Sequence, residues 1–253
     1  MKGKPYYLAS VAIAAGASLA VPAVAQTTAP TAGTSAVDDI IVTANRREQS
    51  LQDVGISIAA LTGEQMRSIG VTTALDIAKA TPNIEIIRSY AAPGFNTQIT
   101  IRGVGQPDFQ DTTEATATAY VDEFYMIGAG QADFLTFDIA RTEVARGPQG
   151  TVQGRNATAG SINYYTNRPA TGATSGRLSA TLAEHGTFRT EGYLNLAVSD
   201  VFAIRGAFST DKGDGYIRNI NPQANWRKGG ASKFYAGRLQ APYAPSSDFS
   251  LLL

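Results

Sequence analysis

Apolar and polar residues alternate along the last third of the chain. Leu178, Ala180 and Leu182 interleave with Arg177, Ser179 and Thr181, and Leu194, Leu196 and Val198 with Tyr193, Asn195 and Ala197. Phe202, Ile204 and Phe208 do the same against Ala203, Arg205 and Ser209, and Tyr235, Gly237 and Leu239 against Ala236, Arg238 and Gln240. A period of two predicts strands with one apolar and one polar face. Segments of about ten residues suit tilted strands crossing hydrocarbon. Ser199-Asp200 and Pro245 to Asp248 predict tight turns, and the Gly- and Asn-rich stretch Asp211 to Ser232 a long loop. A soluble β-sandwich with one wet face is encoded by the same alternation.

Before Thr171 the pattern is mixed. Val54 to Ala60 predicts a strand, and Thr62-Gly63-Glu64-Gln65 a capping box opening a short helix that ends at Gly70. Thr72 or Thr73 caps a second helix through Lys79, stopped by Pro82. Strand-like runs follow at Ile84 to Ser89, Gln98 to Arg102, Ala119 to Met126 and Thr142 to Ala145. The last stops at Arg146-Gly147-Pro148, where Gly permits positive φ and Pro fixes its own. A loop punctuated by Gly150, Gly154 and Gly160 leads into an extended run from Ser161 to Thr166. About 120 residues are enough for an independent α+β core.

The first residues change the compartment. Lys2 and Lys4 precede an apolar run from Leu8 to Ala20, and Ala23-Val24-Ala25 is a small-x-small cleavage site before Gln26. A retained anchor needs about 20 apolar residues, so residues 1–25 read as a cleaved signal peptide. Gln26 to Ala36 is too poor in apolar surface to fold. Within this leader, which spans residues 26–50, Asp39-Ile40-Ile41-Val42-Thr43-Ala44 stands out as a short β-branched run. Such a segment is suited to pairing with another protein's sheet edge, or to being the first strand of the folded domain.

Composition closes several classes. Cysteine is absent and histidine occurs once, at His185, so thiolate and His-rich metal sites are excluded. No nucleophile-base-orienter set can be built around one histidine, which argues against an enzyme. The formal net charge is +0 and no basic run occurs, which argues against a nucleic-acid partner. Asp108, Asp111 and Glu114 lack calcium-loop spacing and read as a solvated loop. The glycine-rich loop lacks a Gly-Lys-Ser/Thr sequel, so no phosphate or cofactor site is assigned.

The run RGPQGTVQGRNATAGSIN, from Arg146 to Asn163, resembles the end of the plug domain of TonB-dependent outer-membrane receptors. It departs from that pattern at Gln153, where an aromatic is usual, and at Ala159, where glycine is usual. ITIRGVG and YVDEFYM resemble further plug motifs, the second departing at Glu123 and Phe124. Asp39 to Ala44 resembles the TonB box, which pairs as a strand with the energy-transducing protein TonB of the inner-membrane complex.

The resemblance implies an α+β plug domain over residues 51–170, followed over 171–253 by the first antiparallel strands of a transmembrane β-barrel of about 22 strands. It also implies TonB, outer-membrane lipid and a small molecule as partners, with a ferric siderophore as the default substrate. Arg102 and Arg146 fit plug arginines that pair bidentately with barrel carboxylates. Gly103, Gly147, Pro148, Gly150, Gly154 and Gly160 serve plug turn geometry. About 80 residues after the plug supply four strands and the start of a fifth, whereas the smallest membrane barrels need about eight. The chain is therefore expected to be an N-terminal fragment of a receptor. The alternatives are a soluble periplasmic TonB-binding module made of the plug alone, or the product of a truncated gene.

Overall fold

The computed structural model describes residues 40–43, 47, 49–89, 96–106, 114–126, 136–221, 223, 228–246 and 248–253. The signal peptide, most of the leader, Asp39 and Ala44 lie outside the described residues. A two-residue ladder joins β1 (Ile41–Val42) to β2 (Gln49–Ser50). Then come β3 (Ser57–Thr62), α1 (Gly63–Ser68), a 3₁₀ turn (Ala74–Asp76), α2 (Ile77–Ala80), β4 (Ile84–Ser89), β5 (Asn96–Ile101), β6 (Ala117–Val121) and β7 (Phe124–Tyr125). The domain ends with β8 (Ile139–Arg146), α3 (Gly150–Gln153) and β9 (Gly160–Thr166).

Five of these strands form one sheet in the order β3-β8-β9-β6-β7, with β6 and β9 parallel and the other pairs antiparallel. β4 and β5 form a separate hairpin. Met66, Ala74 and Ile77 from the helical segment pack with Val144, Ile162 and Tyr164 of the sheet, which makes the sheet and helices two layers over one core.

The sequence signals act locally as their chemistry dictates. The Thr62 hydroxyl accepts from the Gln65 N–H at 3.2 Å and the Gln65 side chain accepts from the Thr62 N–H at 2.9 Å, so the capping box opens α1. The second helix differs from expectation by starting as a 3₁₀ turn. There one Asp76 oxygen accepts from the N–H and hydroxyl groups of both Thr72 and Thr73, tightening the entry before α2. Burial opposes the Asp76 charge, but Lys79 and these donors outweigh it and hold the pKa down at about 2. The first strand also runs from Ser57 to Thr62, three residues later at its start than the alternation suggested.

The run from Ala119 to Met126 is not a single strand. Asp122 and Glu123 have φ of 47° and 70°, turning the chain sharply so that Val121 faces Phe124. A two-residue hairpin of type I′ demands positive φ at both central positions. Asp122 earns its place, its carboxylate accepting from Thr166 N–H at 2.8 Å and from the Thr166 hydroxyl at 2.6 Å. Glu123 makes no such hydrogen bond among the described residues, and it stands where the sequence departs from the plug motif it resembles. Glu123→Gly is expected to stabilise the fold by about 0.5–1 kcal/mol, the relief of the left-handed strain exceeding the added freedom of the unfolded chain. A raised denaturant midpoint at unchanged slope checks it.

A second sheet follows: β10 (Ser175–Ala183), β11 (Thr187–Ser199) and β12 (Phe202–Gly213), then a small hairpin of β13 (Ile217–Arg218) and β14 (Lys228–Gly229), then β15 (Ser232–Gln240), β16 (Pro242–Ser246) and β17 (Phe249–Leu252). All its pairings are antiparallel. Arg205↔Gln240 and Phe202↔Tyr243 lie in one continuous register, so β15 and β16 are successive pieces of one strand beside β12. Four strands and a short fifth thus stand side by side in an open, unclosed wall.

Register sorts the side chains by face. Leu178, Leu182, Leu194, Leu196, Val198, Phe208, Tyr235 and Leu239 share one face and are between 41% and 81% exposed. The opposite face carries Asn195, Arg205, Ser209 and Asp211, all buried. An apolar outside and a polar inside are the inverse of a soluble sandwich.

Candidate functional site

The Asp39 to Ala44 segment is described from Ile40 to Thr43. Val42 is buried, Ile41 is 46% exposed, and Leu51 N–H donates to Ile40 O at 2.9 Å. Thr43 reaches the central sheet, where its N–H donates to Glu143 Oε1 at 2.9 Å. Arg141 Nε donates to that oxygen at 2.8 Å, and Arg141 Nη2 donates to the Thr43 hydroxyl at 3.0 Å. The guanidinium lies 4.0 Å from the Tyr165 ring centroid. Burial pushes the Tyr165 phenol pKa up, opposed by a hydrogen bond with Thr43 and reinforced by the Glu143 charge. Glu143 itself is 0% exposed. Strands β8 and β9, adjacent in the sheet, supply Arg141, Glu143 and Tyr165, so this dock is built on rigid elements.

The Arg-Gly-Pro turn lies at the other end of β8. Gly147 has φ +101° and its N–H donates to Ala159 O at 2.8 Å, folding the loop back on itself. Gly103 and Gly154 have φ +77° and +82°, and Pro148 is exposed. Gly150 opens α3, one helical turn where the sequence suggested only loop, with Gln153 N–H donating to Gln149 O at 2.8 Å. Gly160 has φ +151° and lies against β8.

Arg102 and Arg146 converge on one turn. The Arg102 N–H donates to Asn83 O at 2.9 Å and Arg146 Nη1 contacts Pro82 O at 3.4 Å. Neither forms a salt bridge among the described residues.

The pairing of domain and wall runs through a residue the sequence did not flag. Asp138, just ahead of β8, has a side chain 2% exposed and φ +50°. Its carboxylate accepts from Arg205 Nε at 2.8 Å, from Arg205 Nη2 at 2.5 Å, from Arg238 Nη2 at 3.0 Å and from Asn167 Nδ2 at 2.9 Å. Arg205 comes from β12 and Arg238 from β15, so one plug carboxylate holds two wall strands. The polarity is the reverse of that expected for Arg102 and Arg146, the wall here giving the cations and the plug the anion. Tyr193 stacks on Arg205 at 3.9 Å and Phe137 on Arg238 at 5.0 Å. Asn195, fully buried on β11, ties the connecting segment by donating to Ala170 O and Ala173 O, both at 2.8 Å.

A signal for this anchor was present. Arg205 and Arg238 fall on the polar phase of the alternation, and a cation buried on that face requires a counter-charge. What no periodicity indicates is which of the domain's carboxylates answers them.

No group of metal-binding side chains occurs among the described residues. Asp108 and Asp111 lie outside them, and Glu114 forms an exposed salt bridge with Arg155 at 3.2 Å. His185 sits in the turn between β10 and β11 with φ +58°.

Comparison with known proteins follows this geometry. Residues 50–161 match the family model described as TonB-dependent Receptor Plug Domain. The vitamin B12 transporter BtuB of Vibrio vulnificus (strain YJ016) is 31% identical over 193 residues, covering 74% of this chain and 30% of that protein. The pesticin receptor of Yersinia pestis is 31% identical over 154 residues, covering 60% and 21%. The chain therefore spans less than a third of the length of these curated relatives. Among solved structures, the ferric yersiniabactin uptake receptor FyuA from Yersinia pestis superposes with a TM-score of 0.68 at 23% identity, over 76% of this chain and 29% of that one. The pyoverdine receptor FpvA of Pseudomonas aeruginosa PAO1 gives 0.67 at 15%, over 84% and 29%. These two likenesses are of fold.

Proposed function

We propose, on the premise that this chain belongs to the TonB-dependent receptors, carrying their plug domain and antiparallel barrel strands after it, that it serves active uptake of a scarce solute across the outer membrane of a Gram-negative bacterium. The observation that carries this reading is the juxtaposition of a plug, a wall whose outer face is apolar, and a short strand at the plug's edge. Such a strand offers main-chain donors and acceptors to a partner strand, with β-branched side chains that favour the extended form. In this reading Asp39 to Ala44 pair with TonB, whose pull remodels the plug and opens the path. Arg102 and Arg146, converging on the turn at Pro82 and Asn83, are assigned to carboxylates on further barrel strands. The substrate is assigned to the ferric siderophores, with support from the ferric yersiniabactin uptake receptor FyuA and the pyoverdine receptor FpvA, which share the fold. The outward apolar row disfavours a soluble plug-only module, which has no use for it.

Ile41→Pro tests the reading, because proline removes a ladder donor and is excluded from strand interiors. Loss of that donor, with the disruption of pairing that proline brings, at a net ~0.5–1.5 kcal/mol per bond, is expected to lower ferric-siderophore uptake about tenfold, with substrate binding unchanged. A disulfide trap between Ile41→Cys and a cysteine in TonB reports the contact directly. Unchanged uptake together with no trapped product sinks the proposal. Binding of cobalamin in place of a ferric chelate would reassign the substrate alone.

A further inference from the structure

The apolar face of the wall changes character at one end. By the period of two, Lys212 lies on the face of Phe208 and Lys233 on that of Tyr235. The register sets the two lysines directly opposite each other on β12 and β15. Phe188 of β11 stands across from Lys212, and Leu182 of β10 across from Phe188. All four are exposed. Directly opposed residues have β-carbons about 4.5–5.5 Å apart, where like charges repel. Neither lysine forms a salt bridge among the described residues. The carboxylates nearest in the chain are engaged elsewhere. Asp211 accepts from Arg189 and Ser232 on the inner face, and Asp214 lies against Gly186 in the β10–β11 turn.

The level of the pair follows from its neighbours. In the adjacent row the hydroxyls of Thr190 and Thr210 bond each other at 2.6 Å and so need no water, and Tyr235 is 67% exposed. Lys233 Nζ lies 5.9 Å from the Tyr235 ring centroid. Strands β11 and β12 meet at the far end in a turn of Asp200 and Val201, whereas at the lysine end the chain runs from Asp214 to Ala231 before β15 begins. Longer loops face the outside in outer-membrane barrels, and aromatic residues mark the margin of the apolar band. The lysines stand beyond that margin, where ammonium groups on apolar stems meet headgroups.

We propose that Lys212 and Lys233 clamp the phosphate of an outer-leaflet lipid whose acyl chains lie along Phe188, Leu182 and the apolar rows beside them. This rests on the reading of the wall as part of an outer-membrane barrel and names a lipid site on it. One phosphate between two opposed ammonium groups turns a repulsive pair into two charge-assisted contacts. A soluble anion meets the same charges but makes no use of the exposed phenyl ring and leucine next to them; a phosphorylated lipid matches both. Arg218 stands opposite Lys228 in the β13–β14 ladder, so the loop beyond adds positive charge at this end.

Native mass spectrometry of the full chain in detergent micelles tests the site. Dioleoyl phosphatidic acid supplies the phosphate, and dioleoyl phosphatidylcholine the same acyl chains on a headgroup without net charge. Phosphatidic acid is expected to bind about tenfold more tightly or better, each lysine adding to the attraction. Lys212→Gln with Lys233→Gln is expected to abolish that preference and leave phosphatidylcholine binding as it was. Lys212→Arg with Lys233→Arg, which keeps both charges, is expected to preserve it. A preference that survives the glutamine pair overturns the site. Inorganic phosphate binding as tightly as phosphatidic acid overturns it too, since the ligand is then a soluble anion. A parent chain that binds neither lipid overturns the outer-membrane reading of the wall and the site with it, whereas equal binding of both lipids overturns the lysine clamp alone.

Discussion

Replacing Asp138 by alanine is expected to destabilise the seating of the plug against its wall by about 3–5 kcal/mol, because it strands two guanidinium groups without a counter-charge. Arg205 has a side chain 8% exposed and Arg238 20%, so neither recovers full hydration when the carboxylate is gone. Alanine also inherits a φ of +50°, which adds strain of its own. Asp138→Asn separates the two effects: asparagine tolerates the left-handed region and keeps an acceptor, but not the charge. Most of the loss is expected to remain in that variant. The complementary test adds Arg205→Met and Arg238→Met to Asp138→Ala. Exchanging a whole buried ion set for apolar side chains is close to neutral, so the triple variant is expected to regain most of the stability. Denaturant midpoints at constant slope read all three. A triple variant no better than Asp138→Ala would mean the ion set is not what couples plug to wall.

The anchor shows where the sequence stops being legible. Alternation placed Leu178, Leu194, Phe208 and Leu239 on one face of the wall and Asn195, Arg205 and Ser209 on the other, as the register has them, since a period of two depends only on the pleat and on what lies on either side of it. It could not name Asp138, which sits outside any periodic segment and is defined by two partners 67 and 100 residues away. The docking of Thr43 was hidden for the same reason: its partner Glu143 lies 100 residues on, and nothing local in a β-branched run distinguishes a stowed strand from a free one. Local chemistry was read more faithfully. The Thr62 capping box follows from contacts three residues apart, and the turn at Gly147 from the residue's own φ of +101°. Where local reading failed, at Asp122 and Glu123, the backbone adopts a conformation that an aspartate and a glutamate rarely take, and the hairpin is imposed by strand pairing around it.

The glycines make the same point quantitatively, and they carry the second large effect. Gly150, Gly154 and Gly160 look alike in the sequence, punctuating one loop at short intervals. Their surroundings differ. A β-carbon at Gly150 meets nothing within 4 Å, and one at Gly154 is constrained by φ alone. At Gly160 it would lie 2.3 Å from the Ala145 carbonyl oxygen and 2.9 Å from Ile101 Cδ1, at φ +151°. Gly160 also begins β9 and pairs with Arg146 in the β8–β9 ladder, so the backbone cannot yield without moving the arginine turn. Gly160→Ala is therefore expected to cost about 3 kcal/mol or more, combining dihedral strain with overpacking against main chain. Gly150→Ala, at the start of a helical turn, is expected to be neutral or slightly stabilising. Gly63, read in the sequence only as part of a capping box, belongs with Gly160, its added carbon falling 1.9 Å from Ile139 O. Unfolding midpoints of Gly150→Ala, Gly160→Ala and Gly63→Ala decide the matter. Equal losses at positions 150 and 160 would mean that the loop as a whole, and not the close approach of β9 to β8, demands glycine.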